Sequence, residues 1–452
     1  MANHRNSQTW RVIVAATAAL VVASCGGVAA TPSAAGPTAA GTAATTSGST
    51  PAPSSNASAP AGGSVTLQFP SWQQDEPGVS DWYKSMIAAF EAANSGVTIS
   101  FTKVALADHV DKLTTEFAGG APPQLVELPN SNVGQFVSHG WLHPLDDYLK
   151  STDILQKWPT ALQQSCVVDG KTYCVILNTY GDAWVYNSNL LSASGLSAPT
   201  TPDQYQAVVK AMTDPSKQQY GTCFPTLPGF NMTDMMSVFV IGAGGHWTTA
   251  GKPSANTPEV IQGLTWWNDV ITAKATPLGN ESGACRQLYQ QGKVGSYFDG
   301  PWGQGFMAGA AADVKADLKA VPVPFPYNTG GAGFVIGVAE GVPADQQNLA
   351  WQFIQSMTTP DAQGQYAYDY GSAPLRQDAV LPGDMKTKFP YLDIWITASK
   401  NPVAWTPIGL ESKQNEFIKA VSDAGQKMIS QNVSPKDAAD QLQQQLLTLA
   451  GS

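Results

Sequence analysis

The chain has 452 residues, 43% of them hydrophobic and 13% charged, with a formal net charge of −10. That composition supplies material for buried cores and excludes global disorder, and the length suits two or three domains. An acidic balance with no Lys/Arg run excludes a nucleic-acid partner, because neutralising phosphates needs a clustered basic surface.

In chain order, His4, Arg5 and Arg11 give a weakly basic start, Val12 to Ala23 is an apolar run, and Val22-Ala23-Ser24-Cys25 follows. The run is too short to span a bilayer, so residues 1–25 read as a signal peptide. Small residues leading to Cys25 resemble a bacterial lipobox, which makes Cys25 the expected lipidation site. Residues 26–64 are almost entirely Ala, Gly, Pro, Ser and Thr without charge. Such a segment buries too little to offset its ordering entropy and reads as a disordered tether.

Folded sequence begins near Val65. Val65 to Phe69 alternates like a strand, and a polar loop with Trp72, Asp75 and Glu76 follows. Trp82, Met86, Phe90 and Ala93 have helical spacing and stop at Gly96. A strand over Val97 to Val104, a helix around Val110 to Phe117, a strand over Gln124 to Leu128 and a short helix near Val133 come next, with Asn130 just past that strand. This alternation predicts an α/β layered domain with a largely parallel sheet. Thr201-Pro202, Thr257-Pro258, Thr359-Pro360 and Ser434-Pro435 mark four helix starts, each a hydroxyl cap before a proline at the first helical position. Trp266 and Trp267 read as packing residues. Leu288 to Gly303 reads as a helix end, a strand and a turn, Val321 to Pro326 and Gly330 to Val338 as strands, and Glu411 to Ile429 as a late helix.

Val168 to Leu191 has a distinct pattern. Asp169-Gly170 between short apolar runs predicts a β-hairpin, then polar Asn178 to Asp182 precedes the apolar run Ala183 to Tyr186. The segment reads as a hinge between two domains and as part of a binding cleft, with Tyr180 and Asp182 facing ligand. With Cys25 set aside, Cys166, Cys174, Cys223 and Cys285 form an even set suited to an oxidising compartment. Cys166 and Cys174 flank the hairpin turn, which leaves Cys223 for Cys285. A metal site competes, but the spacings lack paired C-x-x-C and no histidine is near.

Enzyme signatures are absent: no nucleophile elbow, P-loop, H-E-x-x-H or C-x-x-C. His139 and His143 stand four apart, but Gly140 between them and Pro144 after them spoil a helical metal site. No metal and no cofactor is expected. Gly331-Ala332-Gly333 imitates part of a dinucleotide fingerprint without a helix behind it, and reads as tight backbone beside a ligand or a strand crossing. Asp75, Glu76, Asp182 and Asp299 could supply the opposed carboxylates of a glycosidase. What stands out is the pairing of loop aromatics with polar groups: Trp72 with Asp75 and Glu76, Tyr180 with Asp182, Trp247 after Gly244-Gly245-His246, Trp302 after Asp299-Gly300-Pro301, and Trp405 in a Pro-flanked loop. Flat rings plus carboxylates suit a sugar, which offers an apolar C–H face and a hydroxyl rim, although loop tryptophans also plug domain surfaces.

Four segments carry a family resemblance: Lys112-Leu113 through Gly120-Ala121-Pro122 with Leu125-Val126-Glu127; Gly140 to Leu149; Asp169 to Tyr173 through Tyr186-Asn187; and Gly292-Lys293-Val294 through Gly300-Pro301-Trp302. Thr359 to Gln363 and Pro374-x-Arg376 extend it. From Val65 onward the chain resembles the family 1 extracellular solute-binding proteins of ABC importers, the class containing maltose-binding protein. The resemblance implies a periplasmic-binding-protein-like fold of two α/β lobes joined by crossing strands, over 65–180 plus 337–373 and over 182–335 plus 375–452. It implies a non-catalytic, monomeric carbohydrate binder that hands solute to a membrane permease from the extracellular face of the bacterial cytoplasmic membrane. It matches Trp302 to a sugar-stacking aromatic, places a carboxylate at Asp182 and an acidic loop at Asp75 and Glu76. Glu127 departs from the family's usual Asp. The candidate ligand set is Trp72, Asp75, Glu76, Asn130, Tyr180, Asp182, Trp247, Asp299, Trp302, Gly331, Arg376 and Trp405. The family also holds binders of glycerophosphodiesters, polyamines and metal ions; a phosphate is disfavoured because Arg376 is the one cation in the named loops. A secreted polysaccharide-active enzyme is the competing class.

Overall fold

The computed structural model describes residues 64–400 and 402–451. The signal peptide, Cys25 and the tether up to residue 63 lie outside the described residues.

The first lobe starts with a β-α-β unit. Strand Val65–Ser71 runs parallel to Val97–Lys103, in register from Val65 opposite Val97 to Ser71 opposite Lys103. The helix between them, Val79–Ala93, buries Val79, Trp82, Tyr83, Ile87 and Phe90, one stripe at 3.6-residue spacing turned toward the sheet. Its entry is set by Gly78, at φ 83°, where an added Cβ would sit 2.0 Å from the Asp369 carbonyl oxygen. Only glycine accepts both that conformation and that approach.

The expected largely parallel sheet is corrected beyond this unit. Strand Leu125–Pro129 pairs antiparallel with Phe334–Val338, which also pairs antiparallel with Val175–Ile176. The return strand enters from the other lobe and therefore runs against its neighbours. Phe334, Val335 and Ile336 pack in the first-lobe core, so the chain has re-entered that lobe by residue 334, ahead of the expected 337. Leu375 belongs to the same core, two residues past the expected end at 373.

In the second lobe Ala183–Asn187 is the central strand, antiparallel to Ser296–Asp299 on one side and Leu318–Pro322 on the other. Helix Phe230–Gly242 is buried almost all round, with ten buried residues from Met232 to Gly242. Helix Pro258–Thr272 lies against it through Gly263, where a Cβ would meet the Val240 Cα at 2.4 Å. Gln414–Gln431 and Pro435–Ala450 complete the layer. The four hydroxyl-proline starts all cap as expected: Thr201, Thr257, Thr359 and Ser434 each accept a backbone N–H three residues on.

The Asp169-Gly170 hairpin forms with a two-residue loop, both residues at positive φ, and a Cys166–Cys174 disulfide closes its base. The Cys223–Cys285 disulfide also forms. Between the lobes, Thr179–Gly181 pairs antiparallel with Gly330–Ala332. Asn178 ties the crossing together: its Oδ1 accepts from the Phe334 backbone N–H at 2.8 Å and its Nδ2 donates to the Tyr370 hydroxyl at 3.1 Å. Among the described residues no helix is long and apolar enough to cross a membrane.

Candidate ligand-binding cleft

A cavity of about 890 Å³, counting its open mouth, lies between the lobes. Its walls are largely apolar with a few convergent polar groups, the character of a small-molecule site. The first lobe contributes Trp72, Glu76 and Tyr370; the second contributes Phe230, Asp234, Arg286, Asp299 and Trp302; the crossing contributes Tyr180 and Asp182.

Each wall is placed by its element. Trp72 follows the first strand, 7% exposed, with its edge toward His109 at 4.8 Å and Phe334 at 5.8 Å between ring centres. Trp302 stands on the Gly300-Pro301 turn, half-buried, with its ring centre 5.4 Å from Tyr180. Gly300 is required beneath it, since a Cβ there would meet the indole at 2.4 Å. Asp299 ends a fully buried strand, and its Oδ1 accepts from the Gly300 backbone N–H at 3.1 Å.

Arg286 connects the lobes. Its Nη1 lies 3.3 Å from Glu76 Oε1 in the first lobe, its Nη2 3.3 Å from Asp299 Oδ1 in the second, and its guanidinium sits 4.2 Å above the Phe306 ring. The Cys223–Cys285 disulfide fixes the helix that presents it, one residue away. Three carboxyls of the cavity are displaced upward. Burial, then Asp234 and Asp299, pushes Asp182 well above the usual carboxylate range. Burial holds Asp234 at about 6 despite a hydrogen-bonding contact with Trp405 that pulls the other way. Burial likewise holds Asp299 at about 6, outweighing Arg286.

Of the sequence candidates, Trp72, Glu76, Tyr180, Asp182, Asp299 and Trp302 meet at this cavity. Asn130 and Trp405 line a smaller neighbouring hollow that shares Tyr180 and Phe230 with it. Four candidates are corrected. Trp247 is core: 2% exposed, it donates its indole N–H to Ser237 Oγ at 2.8 Å. Arg376 is a first-lobe strut, paired with Asp153 and Asp378 and donating to the Thr358 carbonyl at 3.0 Å. Asp75 points outward to Lys103 at 2.9 Å. Gly331 serves the strand crossing, where its φ of 131° excludes other residues.

Sequence reasoning missed Asp234, Phe230, Asn231 and Arg286. Asp234 and Asn231 are polar residues in the opening turns of an otherwise apolar helix, FNMTDMMSVFVIG, and that exception was the available signal. Among the described residues no group of three or more His, Cys, Asp or Glu side chains is placed to hold a metal ion.

Residues 85–390 match the family model described as bacterial extracellular solute-binding protein. The chain is 23% identical over 327 residues to the maltotriose-binding protein of Pyrococcus abyssi (strain GE5 / Orsay), covering 70% of this chain and 68% of that protein. The fold superposes on a solute-binding protein of Thermotoga lettingae TMO bound with α-D-tagatose, with a TM-score of 0.76, 20% identity, and coverage of 86% of this chain and 100% of the other. It superposes similarly on the GacH receptor of Streptomyces glaucescens GLA.O, solved unliganded and with acarbose, with a TM-score of 0.75, 19% identity, and coverage of 86% and 98%. A two-lobed α/β architecture with an interlobe cavity, and a family match spanning most of the folded chain, make this protein a member of the bacterial extracellular solute-binding proteins, which bind solute and do not transform it.

Proposed function

We propose that the protein is the carbohydrate-binding component of an ABC importer. The observation that carries this reading is the convergence of aromatic rings from both lobes, Trp72, Tyr180, Trp302 and Tyr370, with acceptor carboxylates on one cavity. Rings cover the C–H faces of a sugar while Asp182 and Asp234 accept from its hydroxyls. Closure about the Thr179–Gly181 and Gly330–Ala332 crossing brings the two walls onto the solute, and the closed form is what a membrane permease engages. The Pyrococcus and Thermotoga relatives, named for saccharide ligands, support the same class.

A glycerophosphodiester suits the cavity less well, because Arg286, the cation among its described lining residues, is already engaged by Glu76 and Asp299. A thermal-shift screen of the mature protein against mono- and oligosaccharides, glycerophosphodiesters and polyamines tests the reading, since a bound ligand raises apparent stability. Shifts confined to the non-sugars would overturn it.

Anchoring through a lipid on Cys25, followed by the Ala/Ser/Thr/Pro/Gly tether, would hold the monomer at the extracellular face of the cytoplasmic membrane. Cys25→Ala is expected to abolish metabolic lipid labelling and release the protein from membrane fractions. Full labelling of that variant would remove the anchor.

A further inference from the structure

Four carboxylates and one guanidinium face the main cavity: Glu76, Asp182, Asp234, Asp299 and Arg286. Arg286 serves Glu76 and Asp299, one from each lobe. Asp182 and Asp234 are left without an ion-pair partner among the described residues. Asp182 is 6% exposed, lines the cavity, and its carboxylate accepts no hydrogen bond from any described residue. Its backbone, by contrast, is fully engaged: the N–H donates to the Thr329 carbonyl at 3.2 Å and the carbonyl accepts from Asn328 Nδ2 at 2.9 Å. The backbone hydrogen bonds fix the residue while leaving the side-chain charge unanswered.

A neutral saccharide answers part of this. Its hydroxyls supply donors, but whatever negative charge Asp182 and Asp234 carry then stays enclosed when the lobes close, and an uncompensated buried charge is costly. Either the carboxyls take up protons or the solute brings a positive charge. The surroundings favour the second. Tyr180 borders the main cavity, and Phe230 links it to the hollow walled by Trp405, and aromatic rings beside carboxylates are the setting that holds an ammonium group. The phenols of Tyr180, Tyr297 and Tyr370 are kept protonated by burial, so they add no further negative charge to the cavity.

Resting on the carbohydrate reading above, we propose that the cleft takes a saccharide bearing a free ammonium, an amino sugar or a short oligosaccharide of one, with that ammonium seated between Asp182 and Asp234. The class differs from a neutral sugar by a single group, so the test compares matched sets: glucose, glucosamine and N-acetylglucosamine, and the β-1,4-linked dimers cellobiose, chitosan disaccharide and diacetylchitobiose. Isothermal calorimetry near pH 7 is expected to show the free-amine member of a set binding roughly tenfold or more tightly than its neutral counterparts, the scale of a charge-assisted contact. In Asp182→Asn and Asp234→Asn, each checked for native circular dichroism, that ratio is expected to fall to within about twofold. Because the same variant is compared across one set, a general loss of folding cannot produce the change in ratio.

Proton exchange gives an independent reading. Below neutral pH the amine-bearing sugars should release protons on binding, detected as a dependence of the measured heat on buffer ionisation, because an ammonium favours the carboxylate forms of Asp182 and Asp234. The preference should shrink as pH falls through the range where Asp234 protonates, about 6. Neutral members binding as tightly as the amines, with proton uptake, would overturn the ammonium and leave the carbohydrate reading standing. Binding confined to spermidine or glycerophosphocholine, or absent across the panel, would overturn both.

Discussion

Each side of the cleft buries carboxyl groups, and the two sides treat them differently. In the first lobe Glu127 is fully buried but answered: its Oε2 accepts from Ser71 Oγ at 2.5 Å, its Oε1 from the Tyr83 hydroxyl at 3.1 Å, and His109 Nε2 lies 2.8 Å from its backbone carbonyl. Burial outweighs these donors and pushes the Glu127 carboxyl up to about 8, so near neutral pH it is held largely as the acid. At the crossing, Asp182 is buried with no such donor among the described residues, and in the second lobe the half-buried Asp234 has a single contact, with Trp405. A buried carboxyl with its partners supplied belongs to the scaffold. One that lacks them is, in the reading proposed above, open to a donor from outside the chain.

The contrast breaks most sharply at Arg286. Arg286→Ala leaves Glu76 and Asp299 without their shared cation, one of them in each lobe. The expected cost is about 3 kcal/mol in urea unfolding, the scale of stranding buried charge. The variant should also populate a more open form with a larger radius of gyration by small-angle scattering. Unchanged stability and unchanged scattering would show that the pair contributes little across the cleft.

Next in size is Trp302→Ala, expected to weaken saccharide binding by roughly 1–3 kcal/mol with little change in unfolding, because the half-buried ring lines the cavity. Equal affinity in an intact fold would remove Trp302 from the site. Asp234→Asn sharpens the contrast from the other direction. It removes an enclosed charge that the empty protein does not pair, and at pH 7.5 is expected to raise the stability of the unliganded form by about 1 kcal/mol while reducing affinity. A loss of stability instead would mean that Asp234 serves the scaffold, as Glu127 does.

A further effect lies in the first lobe and depends on pH. A carboxyl raised in the folded state favours folding below its unfolded value, and that contribution is lost as pH rises toward about 8 for Glu127. His109, lowered to about 4 chiefly by burial, acts in the opposite sense: its folded form resists protonation, so stability falls as pH drops from its unfolded value toward 4. The two slopes oppose one another below about pH 6.5, and Glu127 alone acts above it. Glu127→Gln, an isosteric amide, should therefore gain on the natural protein by roughly 1 kcal/mol per pH unit as pH rises toward about 8, the His109 slope being common to both proteins. Parallel curves would place the Glu127 proton elsewhere.

Much of this architecture was legible because its signals are local. Thr-Pro and Ser-Pro pairs mark helix starts within four residues, Asp169-Gly170 marks a hairpin, and Cys166 with Cys174 closes it. Where partners are distant, sequence gave less. Arg286 was invisible as a cleft residue because its carboxylate in the first lobe, Glu76, stands 210 positions earlier. Arg376, nearer to family-like motifs, was favoured and turned out to be engaged by Asp153. Trp247 and Trp302 occupy similar Gly-rich surroundings, and no periodicity tells which face of a loop a ring will take. The antiparallel return of Phe334–Val338 was equally hidden, since strand direction there follows from the chain's excursion through the other lobe and not from any pattern within the strand.

The Cys223–Cys285 bond has a consequence in time as well as in space. It secures the short helix that holds Arg286 over the cleft, and thiols pair durably only after a chain has left a reducing cytosol. A chain kept reduced is therefore expected to hold Arg286 less firmly over the cleft than an oxidised one, a difference that limited proteolysis with and without reductant would read.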